Sequence, residues 1–149
     1  MRIALYQPEI AGNVGAILRL AACMSVGVDV IEPTGFVFSD ARMKRSGMDY
    51  IDQAKMVRHS DWRTFLAQAD GRLMLMTTKG IESLYATAFK PDDILMFGRE
   101  SAGVPEDVAA QCFARVRIPI AASARSLNLS VSAGIALAEA LRQTGELPQ

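Results

Sequence analysis

Cysteine and histidine are nearly missing from these 149 residues: Cys23, Cys112 and His59 are all there is. That excludes a disulfide framework and any metal centre built on His/Cys pairs. The two cysteines lie far apart and match no metal or redox spacing. They are expected to be reduced, half-buried core residues of a cytoplasmic protein. His59 has no Asp or Cys at a useful spacing, so it reads as structural and no metal is expected. Charge of one sign is also lacking, because 16 basic residues balance 16 acidic ones. This excludes a broad basic coat for nucleic acid but leaves room for a local patch. No apolar run approaches membrane-spanning length. The N-terminus enters a short strand with no basic segment and long apolar core before it, so no export signal is expected. There is no G-x-S-x-G elbow, no P-loop, and no G-x-G-x-x-G after the first strand. Serine-hydrolase and ordinary dinucleotide chemistry are therefore unsupported. No repeat, low-complexity tract or linker interrupts the chain.

What is present reads as one globular domain over 1–149, half of it hydrophobic. Strands are expected at 2–6, 28–33, 54–58, 72–78, 93–97 and 114–120. Helices are expected at 13–27, 38–47, 60–69, 105–112 and 126–143. Asn13 and Ser60 are the expected caps of their helices, and Gly27 the stop of the first. Trp62, Phe65 and Leu66 are expected to face inward. Strands alternating with helices imply an α/β fold, a mostly parallel sheet flanked by helices. Three strands end in small or polar residues: Thr77-Thr78, Gly98, and Ile118-Pro119. As neighbours, their carboxyl ends would form one crevice, the usual ligand site of such sheets.

Several polar groups exceed what folding needs. In "DDILMFGRESAGVP" a buried strand stops at Gly98 and delivers Arg99, Glu100 and Ser101 together. Turn chemistry explains a glycine there; a ligand at the strand mouth explains it equally. In "NVGAILR", Gly15 inside a helix costs about 1 kcal/mol against alanine, which hints at a close approach. Arg19 is either a snorkelling surface arginine or a phosphate holder. Ser123, Ser126, Asn128 and Ser130 precede an apolar helix that needs only one or two of them for capping. The run "RMKR" offers Arg42, Lys44 and Arg45, either as a solvated face or as phosphate contacts.

Taken in order, "NVGAILR", "LMFGRESAGVP" and "RIPI…RSLNLSVSAGIALAEAL" resemble the three motifs of the SPOUT class of RNA methyltransferases. "YQPEIAGNVGAILR", "RMKRSGMDY" and "TTKG" make the chain similar to the small tRNA 2′-O-methyltransferases. These modify the wobble nucleotide of leucine tRNAs, cytidine or uridine at position 34. The resemblance covers essentially the whole chain. It implies a C-terminal deep trefoil knot, an exception to the no-knot rule. It also implies a homodimer with the active site at the subunit interface. The small residues Gly15, Ala16, Ala133, Gly134 and Ala136 would permit close helix packing there. Carried over by motif, Met76, Gly98, Ile118, Ser126 and Leu127 would bind S-adenosylmethionine, with Gly98 admitting the cofactor to the backbone. Arg99 departs from the family pattern, where proline is common.

The implied reaction is attack by a ribose 2′-hydroxyl on the sulfonium methyl, with no metal. The catalytic set carried over is Arg19, Asn13, Glu100 and Asn128, Arg19 being central. A guanidinium with pKa above ~12 is a poor base. Holding a phosphate and stabilising the developing alkoxide suits it better. Asn13, Glu100, Ser126 and Asn128 would orient arginine, ribose and cofactor. The implied partners are the anticodon stem-loop of tRNA and a second copy of the chain, with no membrane. The alternatives are ribose methylation at another tRNA or rRNA site, a knotted RNA-binding or assembly protein without turnover, and a flavodoxin-like nucleotide-binding regulator.

Overall fold

The apolar runs assemble as one seven-stranded sheet in the computed structural model, which describes residues 1–38 and 53–149. Its strands are β1 (Arg2–Tyr6), β2 (Gly27–Ile31), β3 (Met56–His59), β4 (Leu73–Met76), β5 (Glu82–Ser83), β6 (Ile94–Phe97) and β7 (Ala114–Arg117). The order across the sheet is β3-β2-β1-β6-β4-β7-β5, and every pairing is parallel. All carboxyl ends therefore share one edge. Strands buried on both faces explain the continuous apolar runs at 73–76 and 94–97. The residues Arg42, Lys44 and Arg45 lie outside the described residues, as does the basic helix expected at 38–47 beyond Phe38.

Alternation along each strand sorts side chains to two cores. Ile3, Leu5, Val28, Val30, Leu95 and Phe97 face α1 (Ala11–Cys23) and α4 (Leu129–Thr144). Ala4, Tyr6, Leu75, Ile94 and Met96 face α2 (Trp62–Gln68) and the one-turn α3 (Glu106–Ala109). The second cover is thin, and Trp62 remains half-buried over it.

The helix ends differ from expectation. Helix α1 starts at Ala11 with Ile10 at its cap position and no side-chain cap, so Asn13 lies inside the helix. It stops at Cys23, where Ser25 adopts a φ of 57° and the Val26 amide donates to Ala21 (3.0 Å). Gly27 instead opens β2, with the Arg2 guanidinium lying over it where a Cβ would otherwise sit. Asp61, not Ser60, caps α2, its carboxylate accepting the Thr64 amide at 2.7 Å. Phe65 is buried as expected, but Leu66 points to solvent. Cys112 is half-buried, and burial pushes its thiol up to about 11; Cys23, by contrast, is exposed. Ala133 and Ala136 are fully buried, and a Cβ added at Gly134 would lie 4.0 Å from the Leu20 side chain. Within the chain, Ala133 and Ala136 thus belong to the core, while Ala16 is exposed.

Two buried carboxylates hold strands in register. Asp29 on β2 accepts Arg2 (2.7 and 3.0 Å) and shares a hydrogen bond with buried His59 (2.8 Å). The ring of His59 lies edge-on to Phe65, a wholly internal setting. Asp93, 0% exposed, accepts Arg72 through both oxygens (2.8 Å each) and the Lys90 amide (2.8 Å). Arg72 and Asp93 precede the paired strands β4 and β6, so this clamp fixes the amino edge. Removing one partner of such a pair strands a buried charge. Arg72→Ala is therefore expected to cost about 3 kcal/mol in urea denaturation. A loss below about 1 kcal/mol would show that water reaches Asp93 and replaces the guanidinium.

Candidate active site at the carboxyl edge

Strand β1 borders β2 on one side and β6 on the other. The chain winds outward from β1 through β2 to β3, then crosses to β4 with β6 inserted between. The carboxyl ends of β1 and β6 therefore lie at the point where the winding reverses, the expected ligand crevice of an open α/β sheet.

One carboxylate organises that point. Glu100 accepts the amides of Glu9 (2.8 Å) and Ile10 (3.2 Å) and the side-chain amide of Asn13 (3.0 Å). The Asn13 carbonyl accepts from the Asn128 side chain (2.9 Å). The Asn128 carbonyl in turn caps α4, accepting the Ser130 amide (2.8 Å) and hydroxyl (2.7 Å). Three of the four residues assigned to catalysis by motif are thus one hydrogen-bonded chain. The fourth, Arg19, is exposed two turns further along α1. Asn13 is 7% exposed and polar at both ends, and it links Glu100 to Asn128 instead of capping its own helix.

The cofactor positions group around three neighbouring strands. In the register, Met76 pairs with Phe97 of β6 and with Val116 of β7. Met76, Gly98 and Ile118 therefore sit side by side at the ends of β4, β6 and β7. Residues 121–128, including Ser126 and Leu127, are exposed without interruption. At Gly98 the turn reading has a direct basis. A Cβ there would lie 2.5 Å from the carbonyl carbon of Gly103. Its neighbour Arg99 exchanges both backbone hydrogen bonds with Gly103 (3.0 and 2.8 Å). The glycine is demanded by the chain's own tight loop.

Sequence reasoning missed Glu9. Its carboxylate accepts the Ser101 amide (2.8 Å) and hydroxyl (2.7 Å), while Glu100 accepts the Glu9 amide. Adjacent residues of two loops thus grip each other reciprocally. No local signal marks Glu9, because its partner is 92 positions away. The Ser101 hydroxyl and amide hold the Glu9 carboxyl below its usual 4.5, with Arg99 adding a smaller pull. A depressed folded pKa means the contact is fully present above 4.5 and fades as pH falls through the lower folded value. A carboxyl-carbon NMR titration should place Glu9 below 4.5, and Ser101→Ala should move it back up. An unchanged midpoint in Ser101→Ala would show that the grip is not formed in solution.

A model of the SpoU rRNA Methylase family matches residues 1–138. A tRNA (cytidine(34)-2′-O)-methyltransferase from Beijerinckia indica subsp. indica is 49% identical over 148 residues, 97% of this chain and 92% of that protein. A solved structure that gives insights into the 2-OH methylation of C/U34 on tRNA superposes with a TM-score of 0.89 at 39% identity, covering 95% of this chain and 94% of that one. The SpoU methyltransferase AviRb of Streptomyces viridochromogenes, solved in complex with AdoMet, superposes with a TM-score of 0.85 at 26% identity, covering 96% of this chain and 60% of that one. With a family model spanning nearly all of it and a relative sharing half its residues, the chain belongs to the SpoU rRNA methylase family.

Proposed function

We propose that the protein is a cytoplasmic tRNA methyltransferase. It transfers the methyl group of S-adenosylmethionine to the ribose 2′-hydroxyl of nucleotide 34, cytidine or uridine, in leucine tRNAs. The observation that carries this reading is the Glu100–Asn13–Asn128 chain at the winding reversal, in a fold whose relatives are named for 2′-hydroxyl methylation of tRNA nucleotide 34.

The donor set suits the cofactor. Hydroxyls of Thr77, Thr78, Ser123 and Ser126 offer partners for an adenosine. Met76, Ile118 and Leu127 offer apolar walls, and Glu100 offers negative charge near a sulfonium. Met76, Gly98, Ile118, Ser126 and Leu127 would hold the group. S-adenosylmethionine, when bound, supplies a methyl on a cationic sulfur that leaves as a neutral thioether. The chain's own work is alignment and charge. Glu100 fixes the start of α1 and hence the placement of Arg19. Arg19 holds the phosphate beside the target ribose and stabilises the 2′-oxygen as its proton leaves. Asn13 and Asn128 keep the two helices in register behind it. Arg42, Lys44 and Arg45 contact the anticodon stem-loop. No metal takes part.

The single domain is knotted in this reading. Strand β7 lies between β4 and β5, which the segment 77–81 joins. That segment rests on β7: Thr77 donates to Val116 (2.8 Å) and Ile81 to Arg115 (3.1 Å). Past it, α4 returns to grip residues 87–89 through Gln143, which bonds Phe89 and Thr87 at 3.1 Å each. A chain entering between two earlier strands, under their connection, is what a trefoil requires. The enzyme is also a homodimer. Ile10, Leu127 and Val131 expose apolar surface around Asn128, and a second subunit would cover it and complete the site.

Three measurements test this. The purified protein with labelled S-adenosylmethionine and a leucine tRNA transcript should yield a 2′-O-methylated nucleotide 34, read by mass spectrometry of a nuclease digest. Arg19→Ala should keep cofactor affinity while losing about 100-fold or more in single-turnover transfer. Arg19→Lys should rescue little, since it keeps charge but loses the planar fork. Near-normal transfer by Arg19→Ala would remove Arg19 from the reaction. In sedimentation, the protein should run as a dimer at micromolar concentration, and Val131→Glu should shift it to monomer with loss of transfer. An active monomer would reject the shared site.

A further inference from the structure

Arg99 is the one half-buried arginine among the described residues that reaches no carboxylate. Arg2, Arg72 and Arg115 are comparably covered, and each is paired, with Asp29, Asp93 and Glu106. The Nε of Arg99 is buried and makes no hydrogen bond. Two carboxylates are near, and Glu9 feels the Arg99 charge, but neither accepts a hydrogen bond from it. The two oxygens of Glu9 accept from Ser101. Those of Glu100 accept from two backbone amides and Asn13. A half-buried guanidinium whose buried N–H donates to nothing is costly, and such a group calls for an explanation.

Its surroundings supply one. Arg99 follows the carboxyl end of β6, next to Glu100, and its guanidinium carbon lies 6.0 Å from the centre of the Tyr6 ring. Tyr6 closes β1, and Trp62 meets it edge-on at 6.0 Å. The Trp62 Nε1 is a second buried donor without an acceptor. Gln7, after Tyr6, holds a left-handed φ of 47°, a strained conformation of the kind found at ligand sites. Two orphan donors thus flank one tyrosine at the end of β1, across β6 from the ends of β4 and β7. A fork of N–H donors beside an aromatic face suits a phosphodiester oxygen pair.

We propose that Arg99 binds a backbone phosphate of the substrate RNA, adjacent to the nucleotide that reacts. The inference rests on the RNA-methyltransferase reading above. It adds an RNA contact on the cofactor loop itself, so that loop touches both substrates.

The test compares wild type, Arg99→Ala and Arg99→Lys. Affinity for a leucine tRNA transcript is measured by filter binding over a series of salt concentrations, and affinity for S-adenosylmethionine by calorimetry. Removing one phosphate-binding cation should reduce the slope of log affinity against log salt by about one. Arg99→Ala should show that reduction and bind RNA more weakly, with cofactor affinity unchanged. Arg99→Lys should keep the slope yet bind more weakly than wild type. An unchanged slope in a folded Arg99→Ala protein overturns the proposal. So does a fall in cofactor affinity with the slope intact, which assigns the guanidinium to the cofactor carboxylate. If wild type neither binds nor methylates the transcript, the functional reading fails and takes this inference with it. If wild type methylates and only the slope is unmoved, the inference alone fails.

Discussion

Everything at the carboxyl edge hangs on the Glu100 carboxylate. Its oxygens gather two backbone amides and a side-chain amide from residues 87 to 91 positions earlier. Hydrogen bonds to a carboxylate are roughly twice as strong as neutral ones. The charge also sits at the start of α1, where the helix dipole favours it. Through Asn13 the same contact reaches Asn128 and the start of α4, 115 residues on. Two helices on one face of the sheet and the loop after β6 are thereby held by one group. A neutral residue at position 100 would leave the start of α1 without its anchor and α4 without its registration.

The parallel sheet makes this arrangement possible. With every strand running one way, loops after β1, β6, β4 and β7 emerge at one edge. The insertion of β6 between β1 and β4 divides that edge. On one side lie Met76, Gly98 and Ile118; on the other lie Tyr6, Trp62 and Arg99. Glu100 stands at the division. The loop that begins at Gly98 is closed by the paired backbone bonds of Arg99 and Gly103. At the opposite edge, the Arg72–Asp93 clamp fixes the starts of β4 and β6, so their ends are placed by rigid elements.

Much of the fold is legible in the chain. Runs such as Leu73–Met76 and Ile94–Phe97 announce strands, and the apolar spacing of 129–144 announces a helix. Helix starts are less legible. Asn13 has the residue type of a cap, yet it lies inside α1 because Glu100 attends to that helix end from a distant segment. Ser60 and Asp61 are both good caps by type; it is the Asp61 carboxylate that accepts the Thr64 amide, while the Ser60 hydroxyl bonds side chains. The small residues of α4 signal close packing, but not against what; Ala133 and Ala136 meet the same subunit's core. Gly98 stands out in the sequence at the right position, but its crowding neighbour is Gly103, which sequence does not announce.

Sequence alone determined the alternation of strand and helix, the parallel sheet, and the set of residues worth watching, because these follow from local periodicity, residue type and motif order. Tertiary structure alone decided which of them meet. Strand order is set by long-range pairing, and no window of sequence encodes that β6 enters between β1 and β4. That insertion is what brings Glu100 to Asn13, Glu9 to Ser101, and Arg99 beside Tyr6 with its neighbouring carboxylates already engaged.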